Sequence, residues 1–221
     1  MKHLFHLLLT LGCLLAQNTL AAQTLDQSTA QPGGGLTPVS DLSLRAQTFT
    51  VGLSGLLTRV DLNIGRLQLG SENLTTEDLH FSVTRPVSAT VPVGAPLATF
   101  TLHPNEVPST ATWMTFDLSA APIPVNAGEV FSLFLMSEQS YFSQAYYHWQ
   151  VNIALPVDYY TRGKGWQQNN NEGVWYVSPP TEDYWFRTYV SPVPEPSVLT
   201  LVGLGALAWR TRRRRRNPIR A

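Results

Sequence analysis

The side chains that could carry catalysis in this 221-residue chain are a few histidines and two pairs of adjacent carboxylates. Beyond the first apolar segment the histidines are far apart, and none of their spacings matches a metal-ligand motif. The carboxylate pairs flank turns, where acids are usually solvated, whereas glycoside hydrolysis needs two carboxylates facing one bond. The sequence has no Gly-x-Ser-x-Gly, His-Glu-x-x-His or glycine-rich phosphate loop. We therefore expect no enzyme activity, no metal and no cofactor from His80, His103, His148, Glu77-Asp78 and Glu182-Asp183.

Aromatic and amide side chains suggest a second kind of chemistry, because they are concentrated between residues 141 and 189. Sugar rings stack their C–H faces on exposed Trp and Tyr, while Asn and Gln bond to sugar hydroxyls. Residues 166–171, Trp-Gln-Gln-Asn-Asn-Asn, place the two chemistries side by side in an expected loop. The alternative is that the aromatics fill a core, which is their commoner use. The candidate glycan-binding residues are Trp166, Gln168, Asn170 and Trp175.

Short strands joined by turns are the elements that would position these residues. Residues 130–136 are apolar except for Ser132, as expected for a central strand covered on both faces. The fold class predicted is all-β: an antiparallel β-sandwich of eight to ten strands, of the jelly-roll type, over residues 45–191, after a flexible leader over 23–44. Apolar and polar residues alternate with the period of a strand at 48–51, 59–64, 80–84, 98–102 and 114–118, and further strands are expected at 146–153, 159–161, 174–177 and 184–190.

Four segments of this body resemble a jelly-roll domain common in bacterial surface proteins. They are residues 46–51 (Ala-Gln-Thr-Phe-Thr-Val), 115–118 (Thr-Phe-Asp-Leu), 125–128 (Val-Asn-Ala-Gly) and 184–190 (Tyr-Trp-Phe-Arg-Thr-Tyr-Val). The resemblance implies a fold in which the first and last strands pair, and it implies little about function.

The N-terminal segment has the order of features of a secretory signal peptide. Lys2 precedes an apolar stretch over residues 4–15, which is shorter than the about 20 residues that span a bilayer. We expect signal peptidase to cleave after Ala21 or Ala22. Cys13, the only cysteine, lies in this segment, so the mature protein would have no disulfide, zinc–thiolate site or cysteine nucleophile. The alternatives are a lipoprotein signal at Cys13 and a buried helix of the mature fold.

The formal net charge of zero averages regions of opposite sign. Residues 23–192 contain seven basic and fourteen acidic residues, a net charge of −7, and seven arginines follow the last apolar segment. An acidic body has no electrostatic surface for nucleic acid, so we expect no nucleic-acid partner. An arginine cluster directly after an apolar segment indicates a role at the membrane instead.

The C-terminal segment combines a proline-bracketed acid, an apolar stretch and that arginine cluster. The triplet Pro194, Glu195 and Pro196 keeps the backbone extended. Residues 198–209 would rise about 18 Å as a transmembrane sorting helix, less than a hydrocarbon core of about 30 Å. Positive charge is retained on the cytoplasmic side, which leaves the body outside. The retained arginines are Arg210, Arg212, Arg213, Arg214, Arg215 and Arg216.

The order of these parts over residues 192–216 resembles a PEP-CTERM sorting signal. The resemblance implies cleavage near the triplet by exosortase, a membrane protease-transferase of Gram-negative bacteria. It also implies a transient stay in the inner membrane, transfer to the cell envelope or extracellular matrix, and association with exopolysaccharide or biofilm. Residues 217–221 follow as a short tail. The alternative is a plain membrane anchor without processing.

The expected function is therefore that of an exported, non-enzymatic envelope or matrix protein. A carbohydrate-binding module on the cell surface is one alternative. A glycan hydrolase is the other, and it is the least favoured because the sequence lacks a catalytic constellation.

Overall fold

The computed structural model of the protein describes residues 22–29, 34–68, 75–143, 145–152, 158, 160–169, 173–179 and 182–192. The predicted signal peptide up to Ala21, Asn170, the triplet at 194–196 and the apolar and arginine segments lie outside the described residues. Residues 22–192 form one compact unit. Within the ranges given above, none of the helices is both long enough and apolar enough to cross a membrane.

The described part of the chain is built from thirteen strands and two short 3₁₀ turns. The turns are Pro104–Glu106 and Tyr141–Ser143. The strands in chain order are β1 (Thr24–Ser28), β2 (Gly35–Val39), β3 (Ser43–Thr50), β4 (Gly55–Gln68), β5 (Leu79–Thr84), β6 (Pro96–Leu102), β7 (Thr112–Asp117), β8 (Ile123–Val125), β9 (Val130–Ser137), β10 (Ala145–Val151), β11 (Gly163–Asn169), β12 (Tyr176–Val177) and β13 (Phe186–Ser191).

Two antiparallel sheets share one hydrophobic core, which confirms the predicted class of β-sandwich. Sheet A has the order β1-β13-β4-β10-β2, with β7 and β8 also paired to β4. Sheet B has the order β12-β11-β3-β9-β5-β6. Strand β4 is 14 residues long, which lets it pair with four different strands along its length.

The predicted alternation is confirmed where one face of a strand meets the core. In β5 the side chains of Leu79, Phe81 and Val83 are fully buried, whereas those between them are half-buried. Strand β9 lies between β3 and β5, so it is central as predicted. Its outer face is covered only in part, since Phe134 is half-buried there. The sheet is thus packed fully on one side, the side that faces the other sheet.

The structure differs from the sequence-based expectation in the leader. Residues 23–44 were expected to be flexible, but they contain β1 and β2. Strand β1 pairs with β13, and β2 pairs with β10. First and last strands therefore do pair, but the first strand comes from the leader. These polar segments gain strand structure because existing strands supply partners for their backbone N–H and C=O groups.

The amide-rich segment is the other difference. Residues 166–171 were expected as a loop, but residues 166–169 belong to β11, which pairs with β3 over seven residues. Conversely, Tyr160 and Thr161 are not in a strand. The pairing is set by the neighbouring β3, so the weak strand propensity of Gln and Asn is overridden by tertiary context.

A buried polar network joins the inner face of sheet B to the segment before β13. Gln47 accepts a hydrogen bond from the Tyr184 N–H (2.8 Å) and donates through Nε2 to Asp183 Oδ1 (3.0 Å). Asp183 is 2% exposed, and its Oδ2 has no hydrogen-bond partner within the described residues. Burial therefore raises the pKa of the Asp183 carboxyl to about 6.

We expect the Asp183→Asn variant to be more stable than the wild type at pH 7.5, by on the order of 1–3 kcal/mol. The folded pKa of Asp183, about 6, lies above the unfolded value, so folding disfavours the charged carboxylate. The stability associated with protonated Asp183 is complete below about pH 4 and is lost as the pH rises through 6. The advantage of the variant should accordingly disappear near pH 4. Urea denaturation at pH 4, 5.5 and 7.5, followed by circular dichroism, measures it.

His148 provides a control of opposite sign. It is 3% exposed, and neither ring nitrogen has a hydrogen-bond partner in the described part of the chain. Burial lowers the pKa of His148 to about 4. The stability associated with neutral His148 is therefore complete above about pH 6.5 and is lost as the pH falls through 4. The His148→Phe variant should therefore become more stable relative to the wild type only at acidic pH. If Asp183→Asn and the wild type had parallel stability–pH curves, the role assigned to Asp183 would be wrong.

Candidate functional site

Two of the candidate glycan-binding residues lie on a strand, where they are used for packing. Trp166 is only 6% exposed, and its Nε1–H donates to Thr48 Oγ1 at 3.4 Å. Gln168 is 8% exposed. With its amide oxygen turned towards them, it accepts hydrogen bonds from the N–H groups of Gly173 (3.1 Å) and Val174 (3.2 Å). Neither side chain offers the exposed surface that the glycan hypothesis assigned to it.

Trp175 reaches the same outer face of sheet B. It is half-buried and meets Phe134 edge to face, with ring centroids 6.0 Å apart. Ala46 of β3 lies between Trp166 and Phe134 in the sheet, because it pairs with both residues. The structure thus brings Trp166 and Trp175 to one face without forming an open aromatic platform from them, and Asn170 lies outside the described residues.

An open groove of about 590 Å³ also lies on this outer face, near the end of the sandwich where β3 ends. Its exposed cations are Arg85, Arg162 and Lys164, on a body whose net charge is negative. Arg85 is paired with Glu129 at 3.4 Å, whereas no ion pair involves Lys164 within the described residues. We call this surface the basic groove; its lining includes Thr48, Thr50, Arg85, Arg162, Lys164 and Trp166.

A second pocket, of about 450 Å³, lies at the opposite end of the sandwich, where β3 begins and β11 ends. We call it the end pocket; its lining includes Leu42, Ser43, Arg45, Tyr141, Phe142 and Asn169. Arg45 is the charged residue among them. Sequence reasoning included Tyr141 and Phe142 in the aromatic-rich region that starts at residue 141, but it did not name any residue of this pocket as a candidate binding residue.

The three histidines are held apart by the fold. His80 Nδ1 is 3.2 Å from Thr101 Oγ1 on β6, and His148 is buried in sheet A. His103 Nδ1 is 2.8 Å from Asp78 Oδ1 at the surface, and this hydrogen bond raises the pKa of His103. No group of three His, Cys, Asp or Glu residues that could hold a metal ion occurs in the described ranges.

Comparison with known proteins finds one match, at the C-terminal end. Residues 192–216 match the family model of the PEP-CTERM protein-sorting motif. No curated protein matches the chain. The matched segment begins at the residue after β13 ends, so the sandwich and the motif are consecutive in the chain. The chain therefore carries a PEP-CTERM protein-sorting motif, which makes it an exported, membrane-transiting substrate of exosortase.

Proposed function

We propose that the β-sandwich is a non-enzymatic domain of the cell envelope or extracellular matrix, associated with exopolysaccharide. The observation that carries the proposal is the position of the sorting motif directly after the last strand. Cleavage near residues 194–196 would release the whole sandwich without breaking a strand. The pairing of β1 with β13 supports this, because it holds the strand next to the released end within a sheet.

Fractionation of the producing cells tests the proposal. We expect the mature protein in the envelope or polysaccharide fraction, without residues 1–21 and without the C-terminal arginines. Digestion of the exopolysaccharide should release it into solution. The proposal fails if the native protein is found in the cytoplasm with both ends uncut, or if removal of the polysaccharide leaves its distribution unchanged.

The basic groove favours a second candidate function, a carbohydrate-binding module that binds acidic polysaccharide. Three cationic side chains lie beside the hydroxyl groups of Thr48 and Thr50, on an otherwise acidic body. Trp166 is too buried to stack on a sugar, so attraction to a negatively charged chain would come from charge. Such binding should weaken with added salt.

In this candidate function, the Lys164→Gln variant should bind an anionic polysaccharide about tenfold more weakly than the wild type. Lys164 is exposed in the groove, and a hydrogen bond to a charged group contributes on the order of 1.5–3 kcal/mol. Affinity electrophoresis in gels that contain the polysaccharide measures the loss.

Arg187→Gln is the matched control, because it makes the same change of charge on β13 of the other sheet. Arg187 lies over the Trp113 ring at 3.9 Å in sheet A, whereas the basic groove lies on sheet B. Equal losses in the two variants would argue against the groove. Release of new reducing ends during the assay would instead favour the third candidate, a glycan hydrolase.

A further inference from the structure

We propose that the end pocket binds a carboxylate-bearing sugar unit, with Arg45 as the anion-binding group and Tyr141 and Phe142 as the stacking surface. This inference rests on the proposed association with exopolysaccharide and names the chemical class of the unit recognised. The end pocket lies at the end of the sandwich opposite Ser191, the residue at which β13 ends.

Arg45 is a buried cation without an anionic partner. It is 4% exposed, and no carboxylate oxygen lies within 4 Å of it among the described residues. Its Nη1 donates only to neutral oxygens, the Leu44 carbonyl at 2.9 Å and Asn169 Oδ1 at 3.0 Å. Burying an unpaired charge is unfavourable, so a ligand anion would supply the missing compensation.

The guanidinium also has hydrogen-bonding capacity that the protein does not use. Nε is buried without an acceptor, and Nη2 makes no hydrogen bond within the described part of the chain. Burial lowers the pKa of Arg45, and this is opposed in part by Tyr184 and then by Glu182, which lies beyond ion-pair distance. A planar guanidinium with free N–H groups suits a carboxylate better than a neutral hydroxyl, because charge-assisted hydrogen bonds are the stronger ones.

Both aromatic residues of the pocket are exposed, and Tyr141 is held by two contacts. Phe142 is 80% exposed and Tyr141 is 43% exposed. The Tyr141 ring stacks on Tyr146 at 5.7 Å, and its backbone N–H donates to Asp41 Oδ1 at 2.9 Å. Exposed aromatic rings give a flat apolar surface on which the C–H face of a pyranose can stack.

The size and charge of the pocket fit one small anionic unit. Its volume, about 450 Å³, lies in the range of about 300–1,000 Å³ of small-molecule sites. Asp41, the acid four residues before Arg45 in the sequence, is not among the lining residues, and its Oδ1 accepts the Leu42 N–H at 2.8 Å. Arg45 is thus one positive charge in a neutral lining, and the ligand that balances it carries one carboxylate per unit.

The test uses the mature protein purified from the producing cell and oligomers of a hexuronic acid. The same oligomers with their carboxyl groups reduced to alcohols are the neutral probe. We expect calorimetric binding of the uronate oligomer and at least tenfold weaker binding of the reduced one. Phe142→Ala should lower uronate affinity at least tenfold without changing the melting temperature, because the side chain is exposed. Arg45→Gln should abolish the preference for the carboxylate.

Arg187→Gln is the control, since it removes a charge from β13, where Arg187 lines neither the end pocket nor the basic groove. The proposal is overturned if Phe142→Ala binds as the wild type does while Lys164→Gln does not, or if reduced and uronate oligomers bind equally. Failure of every uronate oligomer to bind would also overturn it. Cell fractionation decides the proposed function separately, so the two can fail independently.

Discussion

In the producing cell, the Glu195→Gln variant is expected to accumulate as a membrane-bound form that keeps its C-terminal arginines. Gln has nearly the shape of Glu, so the change removes the charge between Pro194 and Pro196 and keeps both prolines, which restrict the backbone. Recognition by exosortase through this triplet should then fall at least tenfold. Mass spectrometry of the C-terminal peptide in membrane and released fractions measures the change.

Asn217→Ala is the matched control for this experiment, because it replaces a polar residue just beyond the arginine cluster. It should be processed like the wild type. An intact arginine tail on the mature wild-type protein, or normal release of Glu195→Gln, would refute the role of the triplet.

We expect the Trp149→Ala variant to lose about 3–5 kcal/mol of unfolding free energy, the usual cost of removing a buried aromatic side chain. Trp149 on β10 is fully buried and stacks on Tyr184, with ring centroids 4.8 Å apart. Its Nε1–H donates to the Trp185 carbonyl at 2.9 Å, which links β10 to the segment before β13. The substitution would leave a large cavity and remove one of the two hydrogen bonds that the Trp185 carbonyl accepts, the other coming from the Asn63 N–H. Urea denaturation at pH 7 measures the loss.

Two variants calibrate this stability measurement. Trp149→Phe keeps an aromatic ring and loses the indole N–H, so its loss should be smaller than that of Trp149→Ala. Phe142→Ala removes an aromatic ring that is 80% exposed, and it should stay within about 0.5 kcal/mol of the wild type. A loss below 1 kcal/mol for Trp149→Ala would mean that the packing around Trp149 does not hold the sheets together.

The strands that face the core could be predicted from the sequence. Strand β5 alternates because Leu79, Phe81 and Val83 must all leave water on the same side. Strand β9 was expected to be central, and it is. In both strands the physical cause is the burial of one face, and the local order of apolar residues reflects that burial.

Strands β1 and β11 could not be predicted in this way. Within β1 only Gln27 is buried, and Leu25 is 51% exposed, so no period-two pattern exists. β11 contains Gly and Asn, which favour turns. Each is a strand because β13 or β3 offers a row of free backbone groups, and the pairing partner lies more than a hundred residues away in sequence.

The candidate binding residues illustrate the same limit. The residues around Trp166 have the composition of a sugar-binding loop, yet the Trp166 side chain is buried in the fold. Arg45 has no local signal, yet the fold buries it without a carboxylate partner among the described residues and beside two exposed aromatic rings. Whether a side chain is buried depends on which segments cross above it, and that is not a local property.

The sorting motif and the all-β class were determined by the sequence alone. A sorting enzyme reads the motif as a linear peptide, and strand alternation reflects contacts with a single apolar face, so both are encoded in neighbouring residues. The tertiary structure alone decided that the leader belongs to the sheets, that the Trp166 ring is packed rather than exposed and that Arg45 lines a pocket. Those outcomes depend on contacts between segments distant in the chain, which only the packing of the two sheets brings together.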